Sequence, residues 1–124
     1  MKRDVVLYLK DILSAINNIE TFLKGVNKNN FIKNIEKQSA IVKQLEIIGE
    51  AVKNIPKDLR EKHLDIPWKD IAGFKDISTH TYFRLNLNMV WRIIEEDIPD
   101  LKEKIEKIKE DLEKEFKNKK TNKK

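Results

Sequence analysis

Four side chains suited to acid–base and phosphate chemistry lie within eight residues near the middle of the chain. They are an ammonium, a carboxylate, an imidazole and a phenol, carried by Lys75, Asp76, His80 and Tyr82. An imidazole exchanges protons near neutral pH, a cation can hold a phosphate oxygen, and a carboxylate can orient the imidazole. RNA supplies its own nucleophile, the 2′-hydroxyl, so such a set needs neither a metal ion nor a protein nucleophile. These residue types therefore suit cleavage of RNA.

Helical spacing relates two of these residues but leaves a simpler explanation open. On an α-helix of about 3.6 residues per turn, Asp76 and His80 are i,i+4 neighbours, whereas Lys75 lies about 140° round from His80. A histidine near a helix C-terminus is also favoured by the helix dipole, and Tyr82 could be an amphipathic residue at the rim of the core. Four such residues come together easily by chance, so spacing alone favours this structural explanation.

The apolar pattern of the whole chain predicts an all-α protein. Every apolar run has a period near 3.6 rather than 2, which is typical of helices and not of strands. We expect an antiparallel up-and-down bundle of four long helices plus short helical pieces. The predicted helices are Asp4–Leu23, about Asn30 to Asn54, Pro67 to about His80, Leu87 to about Glu96, and Ile98 to about Phe116, with an interruption at Pro99 and a short connector Pro56–His63.

Two residues on the second predicted helix depart from its apolar stripe. Gln38 and Gly49 fall on or beside the inward-facing positions. Glycine costs ~1 kcal/mol relative to alanine in a helix interior, but it lets another segment approach closely. We therefore expect a tight contact at Gly49, where the neighbouring Glu50 could also point inward.

The other polar and aromatic candidates fit structural roles better. His63 stands in a charged connector, where we expect it to be solvated, and the spacing of the two histidines and the carboxylates does not predict a metal site. Glu46 and Glu50 form an i,i+4 pair that is typical of a solvated helix face. Trp68 and Trp91 are expected in the core. We predict no cofactor.

The positive charge of the chain is concentrated at one end. Five lysines in residues 117–124 account for the net charge of +5, and without them the 21 basic and 21 acidic residues of 1–116 balance. Net charge is therefore no argument for nucleic-acid binding. We expect a single helical domain at 1–116 and a disordered, lysine-rich tail at 117–124.

Cysteine usage and hydropathy indicate a cytoplasmic location. The chain has no cysteine, which excludes disulfides and thiolate chemistry. No apolar run approaches about 18 residues, and the N-terminus shows no apolar leader, so we expect no membrane association.

Five sequence blocks, in this order, resemble the HepT-like (DUF86) branch of the HEPN superfamily. The fourth block carries the four residues described first, as Lys75-Asp76-x-x-x-His80-x-Tyr82-Phe83. The blocks are Tyr8–Leu13, Leu45–Ala51, Ile66–Gly73, Lys75–Phe83 and Val90–Leu101. Together they extend the resemblance over residues 4 to about 108.

The resemblance implies a fold, an activity and two protein partners. HepT-like proteins are helical bundles that homodimerise and bring two copies of the motif to one cleft. They are toxins of type VII-like toxin–antitoxin pairs and metal-independent RNA endonucleases. Their partner is a minimal nucleotidyltransferase antitoxin, which neutralises them by transferring AMP to the motif tyrosine. Carried over, His80 is the catalytic imidazole, Asp76 the polar residue beside it, and Tyr82 the AMP acceptor.

The motif departs from the family pattern at its first position, where Lys75 replaces an arginine. Lysine keeps the charge but lacks the planar fork that holds two phosphate oxygens. Two hypotheses follow. In one, the protein is a working ribonuclease in which Lys75 binds phosphate as a point charge. In the other, it is a catalytically weak or inactive HEPN protein that pairs with its nucleotidyltransferase.

Overall fold

The computed structural model describes residues 2–79 and 86–122, which form helices and no strand. The predicted all-α fold is therefore confirmed. In chain order the elements are α1 (Lys2–Phe22), α2 (Lys28–Lys33), α3 (Ile35–Lys53), α4 (Lys57–Lys62), α5 (Trp68–Ala72), a 3₁₀ helix (Gly73–Thr79), α6 (Leu87–Arg92), a π-helical segment (Ile93–Asp97) and α7 (Ile98–Asn122).

The core is built around α1, which packs against both α3 and α7. The predicted stripe of α1 is buried, with Leu9, Ile12 and Ile16 fully shielded from solvent. Burial of each such side chain contributes about 1.5–3 kcal/mol before the entropy of ordering is counted. The helix is followed by Gly25, whose φ of 71° is a left-handed conformation that glycine adopts without strain.

The second predicted helix is in fact two helices, so its prediction as one element was wrong. Asn34 has an extended backbone between α2 and α3, and its side chain accepts a hydrogen bond from the Lys37 N–H at 3.0 Å. Asparagine competes well for such a capping position because its side chain replaces the missing helical carbonyl. The cap starts α3 and separates it from α2.

Gln38 is buried because it satisfies the end of α2. Its side chain is only 4 % exposed, and its amide donates to the carbonyls of Phe31 at 3.0 Å and Ile32 at 2.8 Å. These carbonyls lie in the last turn of α2, where helical N–H partners run out, although the Phe31 carbonyl also accepts from the Asn34 N–H at 3.2 Å. The polar residue in the apolar stripe is thus explained by two hydrogen bonds.

The C-terminal helical stretch is continuous but irregular. The interruption predicted at Pro99 takes the form of the π-helical segment, which leads directly into α7. Proline has no N–H and collides with the carbonyl four residues earlier, so a widened turn before it relieves both problems. The helix ends at Asn122 rather than near Phe116, so that predicted end was wrong and α7 extends into the lysine-rich segment.

Both tryptophans pack against the core, as expected. Trp68 is buried, and Trp91 is half-buried with its ring centroid 5.3 Å from that of Phe31. The contact between Trp91 and Phe31 joins α6 to α2, so these two short helices pack against each other, and α2 also packs against α3.

Candidate functional site

The segment that carries the motif changes its helical form before the motif begins. An α-helix from Pro67 to about His80 was predicted, but α5 ends at Ala72 and a 3₁₀ helix follows. The apolar residues Ile71, Phe74 and Ile77 recur at every third position and are all buried. A helix with three residues per turn places such residues on one face, which explains the change of form.

The 3₁₀ form changes the relation between the motif residues. At three residues per turn, a side chain shares its face with the third residue along the chain and not with the fourth. The i,i+4 relation of Asp76 to His80 stays a prediction, because the 3₁₀ helix is described only over Gly73–Thr79. Lys75 is half-buried and Asp76 is exposed, since Phe74 and Ile77 occupy the inward positions.

His80 and Tyr82 lie outside the described residues. Their roles as catalytic imidazole and AMP acceptor, and their distances from Lys75, stay predictions.

The start of the segment is fastened to the connector that precedes it. The indole N–H of Trp68 donates to two backbone carbonyls, those of Arg60 at 3.1 Å and His63 at 2.9 Å. A buried tryptophan N–H needs such a partner, and here it ties α5 to the end of α4. His63 was expected to be solvated, but it is half-buried and takes part through its carbonyl.

A lysine of α7 holds the turn before α5 from the other side. The Lys104 ammonium donates to the Asp65 carbonyl at 2.9 Å and pairs with the Asp100 carboxylate at 2.9 Å. The hydrogen bond to Asp100 and the charges of Asp100 and Asp65 raise the pKa of Lys104, although burial opposes the rise. The contact links α7 to the chain just before the motif segment.

The tight contact predicted at Gly49 is confirmed, and the element that makes it is the motif segment itself. A Cβ atom at position 49 would lie 2.5 Å from the backbone nitrogen of Lys75 and 3.1 Å from the carbonyl oxygens of Ile71 and Ala72. All three are main-chain atoms, which cannot move aside as a flexible side chain can. The backbone of the first motif residue therefore rests directly on α3.

A second cation, which the sequence reasoning missed, lies beside Lys75. Lys53 follows Gly49 by one helical turn on the same face of α3, and its side chain is exposed. Close contact with the Lys75 side chain and repulsion between the two charges lower the pKa of Lys53. The pKa of Lys75 is raised by the contact with Lys53 and by the charges of Asp76 and Glu50.

The charges at this corner come from two elements. Lys75 and Asp76 belong to the 3₁₀ helix, whereas Lys53 and Glu50 belong to α3. Glu50 is exposed, so the idea that it could point inward was wrong. The sequence signal for Lys53 was the spacing Gly49-x-x-x-Lys53, because a segment that packs against the glycine also lies close to the residue one helical turn further on. The arrangement offers two ammonium groups that could hold a phosphate.

Metal-binding clusters and membrane-spanning helices are both absent from the described part of the chain. Over residues 2–79 and 86–122, no group of three or more histidine, cysteine, aspartate or glutamate side chains could hold a metal ion. Within the same ranges, no helix has the length and apolarity needed to cross a membrane.

Comparison with known proteins places the similarity in one family. A family model described as "Ribonuclease HepT-like" matches residues 12–108. A protein of Methanocaldococcus jannaschii named "Putative RNase" is 45% identical over 112 residues, which cover 90% of this chain and 97% of the relative. "Probable ribonuclease HepT" of Thermococcus cleftensis is 42% identical over 109 residues, covering 88% of this chain and 99% of the relative.

One relative is longer than the chain. "Gamma-glutamylcyclotransferase and putative RNase" of Methanocaldococcus jannaschii is 43% identical over 119 residues, which cover 96% of this chain but 54% of that protein. The chain thus spans about half the length of this relative. No solved structure matches the chain significantly.

Proposed function

We propose that this chain, which belongs to the HepT-like family of ribonucleases, is a metal-independent RNA endonuclease and the toxin of a toxin–antitoxin pair. The observation that carries the proposal is the fixed position of Lys75. Its backbone rests on Gly49, so Lys75, the charged first residue of the motif, is held against the helix α3. A site held in this way suits phosphate chemistry, because small displacements of a positioned charge reduce catalysis strongly.

The proposed reaction uses the internal nucleophile of RNA. The 2′-oxygen attacks the adjacent phosphorus, the bond from phosphorus to the 5′-oxygen breaks, and the products carry a 2′,3′-cyclic phosphate and a 5′-hydroxyl. One His80 imidazole takes the proton that leaves the 2′-oxygen, a second acid group supplies the proton that reaches the 5′-oxygen, and Asp76 orients the imidazole. Lys75 holds the phosphate as negative charge develops on its oxygens.

We further propose that the working unit is a homodimer. A motif with one imidazole supplies one proton-exchanging group, whereas the reaction needs a base for the 2′-hydroxyl and an acid for the 5′-oxygen. A second copy of the chain, with its motif in the same cleft, would supply the second. Sedimentation that shows only monomer at micromolar concentration, together with full activity, would contradict this assembly.

The direct experiment compares wild type with His80→Ala on labelled RNA in excess chelator. Loss of a general acid–base group lowers the rate by about 10²–10⁴. We therefore expect cleavage by wild type that chelator does not reduce, and a loss of at least a hundredfold in the variant. Equal cleavage by both proteins would reveal a contaminating nuclease and remove the support for this site.

One observation favours a second function, that of a non-catalytic binding protein paired with a minimal nucleotidyltransferase. Position 75 holds a lysine, which binds phosphate less specifically than the arginine fork. Lys75→Arg separates the two functions. If wild type and His80→Ala are both inert while Lys75→Arg cuts RNA, the chain is the weakened form.

The proposed antitoxin acts on Tyr82. Incubation with the cognate nucleotidyltransferase and ATP should add the mass of AMP to wild type and none to Tyr82→Phe, since the phenylalanine lacks the acceptor oxygen. Unchanged addition to Tyr82→Phe would assign the modification to another residue. A small nucleotidyltransferase gene beside this one would agree with the pairing.

A further inference from the structure

The contact at Gly49 that positions the motif segment also brings Lys53 and Lys75 close together. The Lys75 nitrogen lies against the position of Gly49, and Lys53 stands four residues further along α3, about 6 Å along the helix axis. The 3₁₀ helix packs against α3 along this face. Lysine side chains have long flexible stems, so both ammonium groups reach the same solvent-facing corner.

Two ammonium groups held side by side are unfavourable unless something negative separates them. Asp76 and Glu50 flank the lysines and reduce the repulsion, since after the contact with Lys53 their charges also raise the pKa of Lys75. The pKa of Lys53 is lowered, so Lys75, which lowers it, has a stronger influence than the two carboxylates, which raise it. A bound anion would turn the repulsion between the lysines into attraction.

We propose that Lys53 is a second phosphate-binding residue of the RNA site, which together with Lys75 replaces the fork of a single arginine. A guanidinium donates two parallel hydrogen bonds to two oxygens of one phosphate, and one ammonium cannot match that geometry. Two ammonium groups from separate elements can each take one oxygen. This inference rests on the proposed ribonuclease function and explains how a motif headed by lysine holds its substrate.

The charges around the two lysines limit how strongly they attract RNA from a distance. The charges of Lys53, Lys75, Asp76 and Glu50 cancel, and residues 1–116 are balanced as well. The lysines therefore act through short hydrogen bonds to the phosphate and contribute little to long-range attraction of RNA.

The first experiment measures kcat/KM for RNA cleavage by Lys53→Ala, Lys75→Ala and the double variant. The matched control is Lys43→Ala, which removes the same charge from an exposed position on the same helix. We expect Lys53→Ala to lose at least tenfold, the double variant to lose little more than the worse single variant, and Lys43→Ala to stay within twofold. Equal losses in Lys53→Ala and Lys43→Ala would overturn the inference.

The second experiment repeats Lys53→Ala in a Lys75→Arg background. The arginine fork supplies both hydrogen bonds by itself, so removal of Lys53 should now cost less than threefold. A merely structural role for Lys53 would give the same loss in both backgrounds, and that result would also overturn the inference. Far-ultraviolet circular dichroism checks that each variant is folded.

A binding measurement separates failure of this inference from failure of the proposed function. In the His80→Ala background, the affinity for a fluorescein-labelled single-stranded RNA is followed against salt. Loss of one phosphate contact should lower the slope of log K against log salt by about 0.7. If wild type never cuts RNA but Lys53→Ala still lowers this slope, the ribonuclease proposal fails alone. If wild type cuts and Lys53→Ala behaves as Lys43→Ala, the inference about Lys53 fails alone.

Discussion

Helix α3 holds a short helical segment near each of its ends, and it does so in opposite ways. Near its N-terminus, the Gln38 amide reaches out to two carbonyls of α2. Near its C-terminus, Gly49 has no side chain, and the backbone of the 3₁₀ helix occupies the space. The contact with α2 places a polar side chain in the core, whereas the contact with the 3₁₀ helix depends on the absence of a side chain.

The difference teaches what each contact can specify. Hydrogen bonds from a side chain satisfy the end of α2, but the side chain can adjust its torsions if α2 shifts. The contact at Gly49 is between main-chain atoms, so the backbone of Lys75 cannot adjust there as a flexible side chain can. A stabilising contact is sufficient for α2, whereas a site that holds a phosphate needs the second kind.

The largest expected effect is that of Gly49→Ala on RNA cleavage. The new Cβ at 2.5 Å from the Lys75 nitrogen must push the segment away by about 1 Å, and such a displacement can cost about 10² in rate. Stability should change less, because overpacking costs about 1–3 kcal/mol and the gain in helix propensity offsets ~1 kcal/mol of it. The measurements are kcat/KM and chemical denaturation.

Gly73→Ala is the matched control for that variant. A Cβ at Gly73 would meet nothing within 4 Å, and the φ of −65° suits alanine. This variant should keep its activity and its stability. Full activity in Gly49→Ala, or equal loss in both variants, would show that the close contact does not position the site.

The next effect is that of Gln38→Met on stability. The substitution conserves volume but removes the side-chain donor to the carbonyls of Phe31 and Ile32, and only Phe31 keeps a second partner, the Asn34 N–H. The free energy of unfolding should fall by about 1–3 kcal/mol. Cleavage per folded molecule should be unchanged, since Gln38 lies near the N-terminal end of α3 and Gly49 near the other end. Gln44→Met, on the same helix with an exposed hydrogen bond, serves as the control and should cost much less. A Gln38 variant that is stable but inactive would contradict the comparison.

The smallest effect is expected at Lys104, whose partly exposed contacts hold the turn before α5. Asp100 raises the pKa of Lys104 in the folded protein, so its contribution is fully present below the ordinary lysine pKa. That contribution is lost as the pH rises through the folded pKa. The difference in unfolding free energy between wild type and Lys104→Met should therefore be small, constant near neutral pH, and vanish at strongly alkaline pH. A difference that grows with alkalinity would contradict this assignment.

The sequence predicted the parts of the fold that repeat a pattern over many residues. The stripes of α1 and α7 are long enough for their period to be unambiguous, and the glycine at position 49 indicated a close contact before its partner was known. The break at Asn34 was missed because apolar residues continue in helical spacing across it. The capping preference of asparagine was the competing signal.

The site was predictable only in part, because it depends on contacts between distant residues. The spacing of Ile71, Phe74 and Ile77 already indicates three residues per turn, although the starting proline at position 67 predicts an α-helix. Lys53 is 22 residues from Lys75 in the sequence. Only the packing of the 3₁₀ helix on Gly49 makes them neighbours, and the spacing Gly49-x-x-x-Lys53 does not identify the segment that packs there.

The chemical nature of the cut RNA ends tests the central claim most directly. Mass spectrometry of the products formed in excess chelator should find a 2′,3′-cyclic phosphate on one fragment and a 5′-hydroxyl on the other, because the 2′-oxygen is the nucleophile. Products with a 3′-hydroxyl and a 5′-phosphate, or no products from wild type under these conditions, would contradict the account.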